Sequence, residues 1–342
     1  MEMTDGLQPK KTCKGIDIAK FTMAVFILIL HTNPLMDVSK VLEWGSRCCI
    51  TVLAVPFFFI ANGYFALSSD MAAKKSIRKL ALLYVIWSII YLPFSLLKLS
   101  DAHNLSVGSY LHSFFIYGSY DTIWYLSASA VGVTAVWLLK KYCGIFSACV
   151  VMAFFHVAAL LGTSYAGLIE KCVVWNVYDH YYRFFVTFKN GLFFGGIYIA
   201  LGGLIRESLE KKMVSKFSSG KLAAAVCVLL GMLVMEAAGC KFLGIDTHGV
   251  DMKIMLVPLS VCLFVLLLNW EVQISDQSAI FLRKMSILIF LTQRIFLKGF
   301  ELLGLKEMHS LIWFLIVSAA TIAFSYVILR LSQRWKFLGF IY

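Results

Sequence analysis

The chain has 342 residues, 60% of them hydrophobic and only 15% charged, with a mean hydropathy of +0.82 and a net charge of +12. That balance excludes a soluble globular domain, which carries a larger share of charge, and repeated apolar runs of about 20 residues leave no room for a separate folded domain. Residues 1–342 therefore read as one all-α, multi-pass membrane bundle, whose basic excess is accounted for by topology and anionic lipid headgroups without any nucleic acid.

Ten apolar runs follow in order, near 17–36, 46–67, 79–99, 121–139, 144–162, 190–206, 221–240, 252–270, 286–303 and 310–331. The first lacks a small-residue cleavage pattern and is expected to stay as the first span. Lys and Arg concentrate in alternate loops: Lys10, Lys11 and Lys14; Lys74, Lys75, Arg78 and Lys79; Lys140 and Lys141; Arg206, Lys211, Lys212, Lys216 and Lys221; Arg283 and Lys284; Arg330, Arg334 and Lys336. Short cytoplasmic loops hold the excess of basic residues, so both termini are expected on the cytoplasmic side of the cell membrane.

The first run carries Lys14, Asp17, Lys20 and His31. Asp17 lies three residues before Lys20, placed to orient or neutralise it. From Lys20 to His31 the chain rises about 16 Å, which puts the two in opposite halves of a bilayer. An ionisable group inside a membrane helix points to function, because leaving it against lipid is costly. In the second run Asn62-Gly63-Tyr64 interrupts PFFFIA, and Asn62 must find a partner within the bundle. The cluster Lys75-Ser76-Ile77-Arg78-Lys79 reads either as positive-inside anchoring or as a phosphate-binding patch for an acyl-carrying nucleotide such as coenzyme A.

Loops 100–120 and 163–189 are aromatic, the second holding Trp175, Tyr178, His180, Tyr181, Tyr182, Arg183 and Phe184. They read as an interfacial belt or as a sugar platform. The fourth run opens Thr122-Ile123-Trp124-Tyr125-Leu126, and the fifth holds His156, read as an interior histidine. The sixth opens Lys189-Asn190-Gly191 with Gly195 four residues on, a start suited to an anion or to capping, with glycines that permit close helix packing. The ninth places Gln293 and Arg294 well inside the apolar stretch; Arg294 faces the bundle as an ion-pair partner or snorkels to the surface. The nine cysteines show no metal-type spacing, and a disulfide between Cys172 and Cys240 stays open.

These motifs, in this order, resemble the membrane acyltransferase-3 family over essentially the whole length. The resemblance rests on Lys14-Gly15-Ile16-Asp17 with Lys20 and His31, Pro56-Phe57-Phe58-Phe59 with Asn62-Gly63-Tyr64, Lys75 and Arg78, Trp124-Tyr125-Leu126, and Lys189-Asn190. It implies ten core spans and transfer of an acetyl or other short acyl group from a cytoplasmic acyl-CoA, acetyl-CoA foremost, to a hydroxyl of an extracytoplasmic carbohydrate or bacterial cell-envelope acceptor, with no metal. On that reading Lys14, Lys20, Lys75 and Arg78 hold the donor. His31 is the general base, and Asn62, Tyr64 and Arg294 face the carbonyl oxygen. Asp17, Trp124, Tyr125, Lys189, Asn190 and Gln293 bind substrate. Thr122 and Gln293 stand where the family often has histidine. That variant is similar to the membrane half of the serine racemases of glycopeptide-resistance systems, which implies the alternative of a transporter for a small polar solute such as serine. The transporter would use His31, Asn62, Gln293 and Arg294.

Overall fold

The computed structural model describes residues 13–211 and 218–342, so Lys10, Lys11, Lys212 and Lys216 of the basic count lie outside the described residues. Helices account for the architecture, and no strand occurs among the described residues. In chain order the principal ones are α1 (Lys14–Thr32), α2 (Lys40–Ala66), α3 (Asp70–Ile90), α4 (Leu92–Asp101), α5 (Trp124–Gly162), α6 (Trp175–Phe185), α7 (Gly195–Glu210), α8 (Ser219–Leu243), α9 (Leu256–Leu268), α10 (Asp276–Leu302) and α11 (Ser310–Arg334).

Every one of the ten apolar runs falls on a helix, but five helices are long and apolar enough to cross a membrane by length and composition: α1, α2, α5 with its preceding turn, α8 and α11. α3 and α4 make a sixth if the pair, bent by 62°, counts as one span. Pro93 stands at the start of α4, where its missing N–H costs nothing to the new helix but stops the old one. α7 and α9 are shorter, at 16 and 13 residues. The fourth and fifth runs share α5, which breaks at Gly144 (φ 83°, ψ 162°), a conformation only glycine adopts without strain. Lys140 and Lys141 sit just before that break, as a loop between two runs requires.

Small residues set the packing. A Cβ on Gly63 of α2 would lie 2.0 Å from the Ile199 carbonyl oxygen of α7, and one on Gly202 would lie 2.1 Å from that of Ile60, so the two backbones cross in direct contact. Gly191 approaches the Ala128 carbonyl of α5 in the same way, and Gly195 meets the Phe59 ring, as the four-residue spacing anticipates. α1 lies along α10, α10 along α11, α5 against α3 and α7, and α8 against α9. Phe57, Phe59, Ile60, Tyr91 and Tyr198 fill the interior. The flanks left bare are themselves apolar, for example Phe146, Val150 and Phe154 on α5 and Met235 and Phe242 on α8. Hydrocarbon can cover such a surface without loss, whereas water would penalise it. All nine cysteines are free, with Cys172 exposed and Cys240 buried, so the Cys172–Cys240 disulfide is absent.

Candidate active site

Two cavities lie inside the bundle and share a wall. One, of about 100 Å³, is lined by His31, Thr122, Trp124, Tyr125, Lys189 and Asp251 among others. The other, of about 210 Å³, is lined by Lys20, Asn62, Ser76, Lys79, Arg283 and Ser286 among others. Tyr125 and Phe290 line both, with ring centroids 5.3 Å apart and nearly perpendicular planes. Phe58 closes the same partition, 6.1 Å from Tyr125 and 6.3 Å from Phe290. Lys20 and His31, placed in opposite halves of α1 by helical rise, accordingly line different cavities.

His31 sits in the last turn of α1 and meets Arg294 of α10, whose Nη2 donates to Nδ1 over 2.9 Å. Arg294 reaches further: its Nη1 is 3.5 Å from Oδ2 of Asp121, and Oδ1 of Asp121 accepts from Lys98 Nζ at 3.0 Å. A guanidinium has hydrogens to give and no lone pair to offer, so Nδ1 is the acceptor and the neutral ring carries its own hydrogen on Nε2. Arg294 therefore faces the bundle as an ion-pair partner instead of snorkelling. Thr122 lines the cavity that His31 lines and brings a neutral hydroxyl to it. Lys189 pairs with Asp251 in this cavity.

Asn62 has found its partners: Nδ2 donates to the Tyr125 hydroxyl (2.9 Å) and to the Ser129 hydroxyl (3.1 Å), which fixes the ring that separates the cavities. Tyr64, expected to face the carbonyl oxygen, packs against Phe65 and Phe264 with the Arg206 guanidinium 5.4 Å from its ring, and lines neither cavity. Among the residues expected to hold a donor, Lys20 alone lines the larger cavity; its Nζ lies 4.6 Å over the Phe65 ring. Lys14 pairs with Asp276 (3.2 Å), while Lys75 and Arg78 are exposed on α3. Asp17 is buried, with Oδ1 3.9 Å from Arg283 Nε, so it faces a second cation besides Lys20.

Trp124 lines the His31 cavity and stacks on Phe194 at 6.2 Å. Asn190 is a cap, its Oδ1 accepting from the backbone N–H of Leu192 and Phe193, and its Nδ2 donating to the Tyr181 hydroxyl. Gln293 is fully buried and turned back on its own helix, Nε2 donating to the Phe290 carbonyl at 3.0 Å. His156 bonds the Phe193 carbonyl through Nδ1 and leaves Nε2 without a partner among the described residues.

Sequence reasoning missed Arg283, Asp121, Asp251 and Phe290, and reached Lys79 only as the last member of the basic cluster from Lys75. Arg283 was hidden among the topogenic cations. Asp121 carried a signal, an acid immediately before the aromatic start of an apolar run.

The family model described as an acyltransferase domain, acyltransferase-3, matches residues 14–330. An amino-acid racemase of Enterococcus faecalis is 26% identical over 262 residues, which are 75% of this chain and 36% of that protein. The serine/alanine racemase of Enterococcus gallinarum is 25% identical over 335 residues, 94% of this chain and 47% of that protein. The chain thus spans less than half the length of these curated relatives. No solved structure matches it.

Proposed function

From the acyltransferase-3 family, to which this chain belongs, we propose that it carries an acetyl or other short acyl group across the cell membrane, from a cytoplasmic acyl-CoA to a hydroxyl of an extracytoplasmic carbohydrate or cell-envelope acceptor. The supporting observation is the pair of cavities, one cationic and one holding an imidazole, that meet at a single aromatic wall. In this reading the ten apolar runs span the membrane with both termini cytoplasmic. The Lys20 cavity opens toward the donor and the His31 cavity toward the acceptor.

Lys20, Lys79 and Arg283 supply the charge for the donor's phosphates. The acyl end points at Tyr125 and Phe290, and its passage requires those rings to part. His31 takes the proton of the acceptor hydroxyl while the hydroxyl oxygen bonds to the acyl carbon and the carbon–sulfur bond breaks; the proton leaves with the thiol. Arg294 is the donor for the carbonyl oxygen. As a base the ring must present a nitrogen without hydrogen, which in this arrangement is the Nδ1 that Arg294 occupies.

The test uses purified protein in liposomes, with coenzyme A carrying a labelled acetyl group and an added glycan. Label transfer that disappears in His31→Ala is expected; transfer retained in that variant would refute the role of the ring. A second reading, uptake of a small zwitterion such as serine, is favoured by the Lys189–Asp251 pair, which offers one cation and one carboxylate in a cavity of about 100 Å³. Two of the relatives are named for amino-acid and serine/alanine racemisation. Thermal stabilisation by acetyl-CoA as against serine separates the two readings, because a ligand raises stability by binding the folded state.

A further inference from the structure

Three elements that are distant in sequence converge on one imidazole. His31 comes from the end of α1, Arg294 from the middle of α10, and Asp121 from the single turn Asp121–Ile123 ahead of α5. The guanidinium bridges the other two, with Nη2 on His31 Nδ1 at 2.9 Å and Nη1 on the Asp121 carboxylate at 3.5 Å. Lys98 holds the opposite oxygen of that carboxylate at 3.0 Å, leaving Oδ2 turned to Arg294. The Nε–H of Arg294 is buried and has no acceptor among the described residues, so the present seat leaves one of its hydrogens unsatisfied. An orphaned buried donor is costly, and a short shift toward the carboxylate would relieve it.

We propose that Arg294 is a latch with two seats, His31 and Asp121, and that its seat decides what His31 can do. Seated on Nδ1, it holds the neutral ring as the Nε2–H tautomer, in which Nε2 is a hydrogen-bond donor and accepts no proton. Drawn onto the Asp121 carboxylate, it releases Nδ1. Water entering the cavity then delivers a proton to Nδ1, and the hydroxide this leaves takes the one from Nε2 and returns to water, so that one N–H bond forms, one breaks, and the ring stays neutral. Nε2 is then bare, as general-base action requires. Asp121 is the positioning residue, acting on the ring through Arg294. Among the described residues, the one carboxylate that lines the His31 cavity, Asp251, is engaged by Lys189. The consequence for catalysis rests on the acyl-transfer reading; the tautomer does not.

Nitrogen-15 NMR of the full chain in lipid nanodiscs, with histidine labelled, tests the latch. The chain has seven histidines, and the signals lost in His31→Gln identify the ring. The wild-type protein is expected to show a protonated Nε2 and a bare Nδ1. Arg294→Met is expected to bring a protonated Nδ1 into the spectrum. Arg294→Lys, which still has only hydrogens to give, is expected to restore the wild-type pattern. Asp121→Asn removes the second seat, so the wild-type tautomer should persist while acyl transfer falls about tenfold or more in kcat with KM for acyl-CoA unchanged. A wild-type spectrum with protonated Nδ1 would overturn the proposal without recourse to any variant, and so would an Arg294→Met spectrum identical to wild type in folded protein. The spectra need no donor or acceptor, so a chain that transfers no acyl group can pass this test and a working transferase can fail it.

Discussion

Adding one methyl at the α2–α7 crossing should loosen the whole partition. In Gly63→Ala the new carbon would lie 2.0 Å from the Ile199 carbonyl oxygen, whereas ordinary contact begins at 3.4 Å, so the helices must part by about 1.4 Å (3.4 − 2.0). The obstructing atoms are backbone, and no side-chain rotation relieves them. Overpacking of this kind costs about 3 kcal/mol at its upper range, against which alanine returns about 1 kcal/mol of helix propensity, leaving a net loss of about 2 kcal/mol. The same separation pulls Asn62, the preceding residue, away from its 2.9 Å bond to Tyr125. Thermal unfolding followed with a thiol-reactive fluorophore reports the loss, since Cys48, Cys49 and Cys240 are buried and free in the fold. Gly231→Ala in α8 is the control: its Cβ meets nothing within 4 Å, and the unfolding temperature should hold or rise. If Gly63→Ala unfolds where Gly231→Ala does, the helix crossing is not the close contact described.

Replacing Lys20, Lys79 or Arg283 by Met should each weaken stabilisation by acetyl-CoA about tenfold, while the same change at the exposed Lys75 or Arg78 should leave it nearly unaltered; thermal shift titrations decide. Membrane-impermeant maleimide applied to intact cells should label Cys172 and spare Cys143, both exposed thiols, because the proposed topology puts them on opposite sides; the reverse pattern would overturn it. Asp37 follows α1 and accepts the backbone N–H of Ser310 at 2.6 Å, which holds its carboxyl below the ordinary 3.8. A carboxyl lowered by folding adds stability above its unfolded value and loses it as pH falls through the folded one. Wild type should therefore lose unfolding temperature below pH 3.8, and Asp37→Asn should lose that part of the dependence.

Helix content and the candidates His31, Asn62 and Arg294 were legible because an ionisable or amide side chain inside an apolar run stands out against its neighbours. Their meeting was not. His31 and Arg294 are 263 residues apart, and no local pattern says which faces of α1 and α10 touch. Which of the basic residues share the larger cavity was not legible for a related reason: Lys75, Arg78 and Lys79 differ only in helix rotation, and Lys79 alone among them lines it with Arg283 and Lys20. Gln293 and Arg294 are adjacent, yet one faces its own helix and the other faces His31. Tyr64 lies apart from Asn62 because a residue two positions on points about 200° away around the helix, here toward Arg206.

The thin wall of Tyr125, Phe290 and Phe58 also has an electrical meaning. If, as proposed, the two cavities open to opposite sides of the membrane, each carries the potential of its own compartment inward, and most of the membrane voltage falls across the aromatic rings between them. Moving one elementary charge through that wall involves about 2.3 kcal/mol per 100 mV. A neutral acyl group crosses without electrical work. The phosphates of the proposed donor would carry their full charge into the field, and Lys20, Lys79 and Arg283, which line the cavity on one side of the wall, would hold them out of it.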